Sequence, residues 1–408
     1  MNRIQLGWID YSAEDRNKVM AVLHALTAPG AVDELGIGQI RDGFANLLFP
    51  GTSTIQTRAK YFFIVPYLLM ELEQQRHLKP QPFLQKLSAM ELDLIEPLKK
   101  PGETGVIGET AGRGLKRKPS SIYWSGLRTL GMFRYPQFSL DDYVRATCAV
   151  NHELATQRAM GRRTDDDKAQ DDPDAYQSPV PGGFWRCLLP PADWREQITI
   201  RLSAQEAVYL KDRINKAPLT QNSLFAYLAN KDLETIQAIE HVEALGQIFD
   251  LPDSIRRIYD MAMAFSDFIY GATLRYNVIL SHGENKKARK DWEIWCQSTF
   301  VRRSFPDYDP SEAIDYLRVS NYWLRRFLRR WQESFLSGDI NVMDELIVQR
   351  EIEVKSRARA KLRNPSLYVY REGHGMRGSK LDYRYSNAKV VLVDIFHGLE
   401  KGHAEAVQ

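Results

Sequence analysis

Apolar side chains recur every three or four residues along most of this chain, the spacing that places them on one face of an α-helix. Val19, Val22, Leu23 and Leu26 form one such stripe, which stops at Pro29-Gly30, and Ile40 to Leu48 forms a second before Pro50-Gly51. A third helix is predicted from about Thr54 to Gln75, opened by Ser53 and Gln56 at capping-box spacing and bent by Pro66. Farther along, Leu202 to Ile214, Leu224 to Leu228 and Ser254 to Leu280 read as helices, the last apolar nearly all round between Met261 and Leu280, as expected at the centre of a domain. Period-two alternation is scarce. Ile4 to Ile9 is strand-like, and Gln197 to Leu202 is the best alternating stretch. The fold class is mainly α, two multi-helix domains with minor β.

Ser311 to Leu336 is the clearest two-faced segment. At 100° per residue, Leu317, Leu324, Phe327, Leu328, Trp331 and Phe335 share one side, and Arg318, Arg325, Arg326, Arg329 and Arg330 share the other with Tyr322. Guanidinium forks match phosphate oxygens, so this stripe is a candidate nucleic-acid face. Asp315 and Glu333 lie on the same side and are alternative partners for Arg318 and Arg329.

Arg162 to Gly183 lacks apolar periodicity and is rich in Asp, Pro, Gly and Gln, so it reads as an acidic flexible linker. The expected organisation is an N-terminal helical domain over 1–160, a linker over 161–183 and a C-terminal helical domain over 184–408. No secretory leader or bilayer-length apolar run is visible, and Cys148, Cys187 and Cys296 lie far apart without zinc spacing. The expectation is a cytoplasmic protein without metal or cofactor.

The formal charge of +3 identifies no partner, but the charge is segregated. Lys99 to Arg134 holds eight basic residues against two acidic, and Arg350 to Lys389 eleven against four, whereas Asp165 to Asp174 holds six Asp and one Lys. In the first block Arg113, Lys116, Arg117 and Lys118 precede a helix from Ser121 to Leu130 that carries Arg128, with Ser120 as cap and Gly131 as stop. Followed by a short strand at Met132 to Tyr135, this is a winged-helix-like segment near 113–135, unless Tyr123, Trp124 and Leu127 are simply core. In the second block Lys355, Arg357, Arg359, Lys361 and Arg363 precede a glycine-rich loop around Arg377 that lacks the phosphate-loop pattern.

Catalytic patterns are mostly missing. His282-Gly-Glu-Asn-Lys286 does not have the His-Lys spacing of phospholipase-type nucleases, and Gly36-Ile-Gly38 lacks the third glycine of a dinucleotide loop. Glu353-Val-Lys355 with Asp339 or Asp344 upstream faintly suggests a metal-dependent nuclease, on a segment that reads as helix where such a site needs a strand. Asp33, Glu34, Arg41 and Asp42 precede Gln56, Arg58 and Lys60, forming either a site or, more simply, an ion-pair network that locks two helices. Asp267 and Arg275 on the long apolar helix also require partners.

Leu6 to Ser12, Asp33 to Asp42, Phe49-Pro-Gly-Thr-Ser-Thr-Ile-Gln-Thr-Arg-Ala-Lys-Tyr61, Pro119 to Trp124 and Leu381 to Tyr385 together resemble the bacterial domain-of-unknown-function family numbered 6361. The resemblance spans nearly the whole chain and marks Asp33, Glu34, Arg41, Asp42, Thr54, Gln56, Arg58, Lys60 and Tyr61 as family-motif residues. That family has no established reaction. The resemblance implies a subunit of an antiphage defence system that serves helicases or phospholipase-D-like nucleases.

The expectation is therefore a non-catalytic nucleic-acid-binding component, with DNA the expected ligand. The alternatives are a metal-dependent nuclease using Glu353 and Lys355, and a protein-interaction scaffold whose basic faces meet acidic proteins or the Asp165 to Asp174 segment.

Overall fold

A computed structural model describes residues 33–161, 183–364 and 379–407. The strand-like Ile4 to Ile9, the stripe from Val19 to Leu26, the acidic segment and Arg377 lie outside the described residues. Among those described, sixteen α-helices and no sheet are present, so the protein is mainly α.

The described residues form two compact units, each assembled from separate stretches of chain. One takes 33–41, 264–364 and 379–381, and the other 42–161, 183–263 and 382–407. These boundaries do not coincide with the expected division at 160 and 184.

In the larger unit the central element is α2 (Tyr61–Glu73), preceded by α1 (Gly38–Leu48). Twelve of its thirteen residues are buried, so no solvent face is left for polar positions. It packs against α3 (Pro80–Asp93), α5 (Pro119–Thr129) and α6 (Leu140–Gly161), with α4 (Ile95–Leu98) following α3. α2 begins seven residues later than the capping-box spacing predicts. The amides that would open the earlier helix are held elsewhere: Thr57 and Arg58 donate to Tyr123 Oη at 3.0 and 3.1 Å, and Ala59 donates to Asp394 at 2.8 Å. Gln56 does reach back to accept from Ser53 N at 3.1 Å, but it closes a turn.

α5 passes so close to the preceding turn that a Cβ on Gly126 would sit 2.5 Å from Gly51 O. Only glycine fits there. Ser120 lies inside this helix and donates its amide to Glu91, so it is not the cap, while Gly131 is the left-handed stop at φ +64°. The expected strand at Met132 to Tyr135 amounts to one antiparallel bridge, Phe133 with Trp185, flanked by Arg134 N to Phe184 O and Arg186 N to Met132 O. No hairpin follows α5, so the winged-helix-like segment does not form. Tyr123, Trp124 and Leu127 are buried core. Gln197 to Leu202 is likewise not a strand.

The unit is completed by α7 (Ala204–Lys216), α8 (Leu224–Leu228), α9 (Leu233–Ala238), α10 (Leu245–Ile248), the start of α11 (Asp253–Leu280) and α16 (Tyr385–Val407). α16 packs along α7. α7 opens with a full capping box between Ser203 and Glu206.

The smaller unit contains the rest of α11 with α12 (Lys286–Cys296), α13 (Ser311–Tyr316), α14 (Tyr322–Ser337) and α15 (Ile340–Lys355). No residue of α11 from 261 to 280 is exposed, as its all-round apolar pattern requires. Asp267 and Arg275 on it are paired, with Lys380 and Asp344 respectively. The two-faced segment is not one helix. Arg318 adopts φ +53°, and Val319 N reaches back to Ile314 O at 2.9 Å, a C-terminal cap usually built on glycine. Asn321 then restarts the chain by accepting from Leu324 N at 3.0 Å. Arg318 therefore sits in the turn between α13 and α14, off the arginine stripe.

Candidate functional site

α14 forms because Leu324, Phe327, Leu328, Trp331 and Ser334 are buried on one side and the helix ends at Gly338 in the left-handed region. Trp331 donates its indole N–H to Phe268 O at 3.3 Å, which fixes the helix register on α11. Residues 322, 326, 329, 330 and 333 then point to solvent.

The predicted arginines of this face differ in availability. Arg325 is half-buried and bound to Asp315 through both terminal nitrogens, and Arg329 reaches Ser311 Oγ at 3.4 Å. Arg326 lies over the Trp323 ring at 5.7 Å, and Arg330 is exposed. Among the described residues Arg326, Arg329 and Arg330 form no ion pair. Tyr322 is 70% exposed and the adjacent Trp323, which the helical pattern did not single out, is 54% exposed. Trp323 lies about 100° from Tyr322, at the border of the apolar face, so pattern alone assigns it to the core as readily as to solvent.

The block before α5 is largely engaged. Arg113 pairs with Asp93 at 3.0 Å, Lys118 donates to Leu115 O, and Arg128 donates to Pro136 O and Phe138 O at 3.0 and 3.3 Å. Lys116 and Arg117 are exposed. In the second block Arg357 and Arg359 are exposed, Arg359 donating Nε to Lys355 O, while Arg363 pairs with Glu345.

Several charged family-motif residues, Glu34, Asp42, Arg58 and Lys60, are committed to long-range ion pairs. Asp33 accepts from Ile37 N at 2.9 Å and from Gly38 N at the start of α1, which carries Arg41 and Asp42. In the smaller unit Glu34 joins Lys355 and, at 3.1 Å, Lys361. Lys355 also donates to Glu351, a fully buried carboxylate that accepts from Tyr276 Oη at 2.7 Å and Leu362 N at 2.9 Å. Burial and the neighbouring Lys361 push the Lys355 ammonium down to about 7, with the Asp33 charge opposing the shift. In the larger unit Asp42 pairs with Arg384, Arg58 with Asp394 and Glu103, and Lys60 with Glu206 at 2.6 Å. Thr54 is exposed, Gln56 is buried, and Tyr61 Oη accepts from the Ile107 amide at 2.8 Å. The network expected between these two groups of residues is not what forms: Glu34, Asp42, Arg58 and Lys60 each pair with a residue from a distant part of the sequence.

Glu353 and Lys355 do not converge. Glu353 is exposed and pairs with Arg350 at 3.6 Å, Lys355 points inward, Asp339 caps α15 and Asp344 holds Arg275. Among the described residues no group of three or more His, Cys, Asp or Glu could hold a metal ion, and no helix is long and apolar enough to cross a membrane. A cleft of about 330 Å³ in the smaller unit is lined by Asp267, Asp291, Trp295, Thr299 and Lys380 among others. Its acidic groups are already paired, Asp267 with Lys380 and Asp291 with Lys287.

No curated protein and no solved structure matches this chain. Residues 3–146 match the model of DUF6361, a family of unknown function, and four of the five motifs that suggested the resemblance, all but Leu381 to Tyr385, lie in that stretch.

Proposed function

We propose that the protein is a non-catalytic nucleic-acid-binding component and that the solvent face of α14 is its principal contact surface. The observation that carries this reading is the presence of three exposed arginines, Arg326, Arg329 and Arg330, on one helix face without an ion pair among the described residues. Unpaired guanidinium groups are the ones available to displace counterions from phosphates. Arg113, Lys118, Arg128 and Arg325, engaged within the fold, are secondary candidates, and Lys116, Arg117, Arg357 and Arg359 extend the basic surface of their own units. Duplex or single-stranded DNA is the expected ligand, and service to a helicase or nuclease partner in antiphage defence is part of the proposal through the family resemblance alone. The nuclease alternative finds no support in the outward Glu353 and inward Lys355.

The test is binding of the full chain to mixed-sequence DNA across a salt series. Arg326→Gln, Arg329→Gln and Arg330→Gln combined should weaken binding and flatten the log–log salt dependence by roughly one unit per lost phosphate contact. A folded triple variant with unchanged affinity and slope would refute the assignment of this face.

A further inference from the structure

Resting on the nucleic-acid reading of α14, we propose that its face takes unpaired bases: Tyr322 and Trp323 form a stacking platform for single-stranded nucleic acid, and Arg326, Arg329 and Arg330 hold the adjoining phosphates. Single exposed apolar side chains are ordinary, but here two large aromatic neighbours are exposed together. The helix does not need them for packing. Its opposite side already buries Leu324, Phe327, Leu328 and Trp331.

The two rings meet edge to face, with centroids 5.4 Å apart and planes at 75°. An edge-to-face pair leaves at least one ring face uncovered by its neighbour, and an uncovered π-face accepts any base because every base has one. Arg326 lies over one face of the Trp323 ring, 5.7 Å from its centroid, so a cation already belongs to the platform and bases would stack on the ring faces left free. Arg329 and Arg330 follow about two turns on, a rise of roughly 12 Å from Tyr322 to Arg330. Glu333 shares the face, so the positive charge is concentrated toward the N-terminal half, where the aromatics are.

Strandedness follows from base accessibility. Inside a duplex the base faces are covered by their neighbours, so aromatic side chains gain nothing from them, whereas a single strand offers them freely. Trp, Tyr and Arg are also the residues of protein-binding hot spots. Arg326 and Arg330 form no ion pair among the described residues and Arg329 feels only the field of Asp315, already bonded to Arg325, an excess of positive charge that favours a polyanion over an ordinary protein surface.

The experiment uses the full chain with mixed-sequence single-stranded DNA, single-stranded RNA of the same sequence and the corresponding DNA duplex, with thermal melting as a folding control. Single strands should bind about tenfold or more tightly than duplex, and the pair Tyr322→Leu with Trp323→Leu should remove that preference by weakening single-strand binding far more than duplex binding. The arginine variant should weaken all probes. The DNA and RNA arms show which strand is preferred, and tight binding of either supports the proposal. Equal binding of single strand and duplex, with the aromatic variant indistinguishable from the parent, would overturn the stacking platform and leave the arginine face standing. Failure to bind any probe would overturn both.

Discussion

Arg58 and Asp394 lie 336 positions apart in the chain and form a two-point ion pair, with Nη2 and Nε each about 3 Å from the carboxylate. Asp394 is buried and also accepts from Ala59 N, while Arg58 donates on to Thr104 O at 2.9 Å and pairs with Glu103 at 3.5 Å. The pair thus joins the loop before α2 to α16. Removing Asp394 leaves the half-buried Arg58 with only the longer Glu103 contact and Thr104 O, and losing one partner of a buried pair generally costs more than replacing both. Asp394→Ala should therefore destabilise the protein by about 3 kcal/mol in urea denaturation, with the Arg58→Met, Asp394→Leu double variant recovering part of that loss. A single-variant cost below about 0.5 kcal/mol would show that the pair is no more than a surface contact.

Much of the helical framework was legible, because a helix with one wet and one dry side prints its register on the sequence. Leu224–Leu228 agrees residue for residue, and α11 starts one residue before its predicted position. The buried side of α14 was legible for the same reason. What was not legible depends on partners distant in sequence. The delayed start of α2 depends on Tyr123 and Asp394 capturing its upstream amides, and the break at Arg318 replaces the usual glycine by a left-handed arginine. Pairing was equally hidden: the motif residues Glu34, Arg58 and Lys60 looked like one cluster, but their partners are Lys355, Asp394 and Glu206. Exposure of Trp323 is a further case, since an aromatic at the border of a stripe is read as core until the packing is known.

Glu91 provides a pH-dependent test of the larger unit. Its carboxyl is buried between α2, α3 and α5, beside Tyr61, Leu68 and Ile95, and accepts from Ser120 N. Burial pushes it up to about 7 from 4.5, against the opposing Ser120 amide and Lys118 charge. Because the folded value lies above the unfolded one, the contribution of the neutral form is fully present below pH 4.5 and is lost as pH rises through 7. Glu91→Gln keeps an acceptor for Ser120 and removes the titration. The variant should gain on the parent protein as pH rises from 4.5 to 8, by up to about 3 kcal/mol. Urea denaturation of both proteins at several pH values isolates this difference, since other groups cancel. A difference independent of pH would mean that Glu91 is ionised throughout.

The buried charges of the smaller unit separate a structural role from a catalytic one. Glu351 accepts three hydrogen bonds, from Lys355, Tyr276 and the Leu362 amide, and so ties α15 to α11 and to the turn that follows it. Glu353, two residues on, is exposed and bonded only at the long distance of 3.6 Å to Arg350 among its ion pairs. If the cluster is structural, Glu351→Ala should cost about 3 kcal/mol, because it strands Lys355 beside Glu34 and leaves Tyr276 and Leu362 without their acceptor. Glu353→Gln should stay within about 0.5 kcal/mol, as surface substitutions do. Neither protein should cleave DNA when magnesium or manganese is supplied. The decisive opposite result is metal-dependent cleavage by the parent protein that disappears in a fully stable Glu353→Gln variant, because an exposed carboxylate that matters for cleavage and not for folding is acting on the substrate.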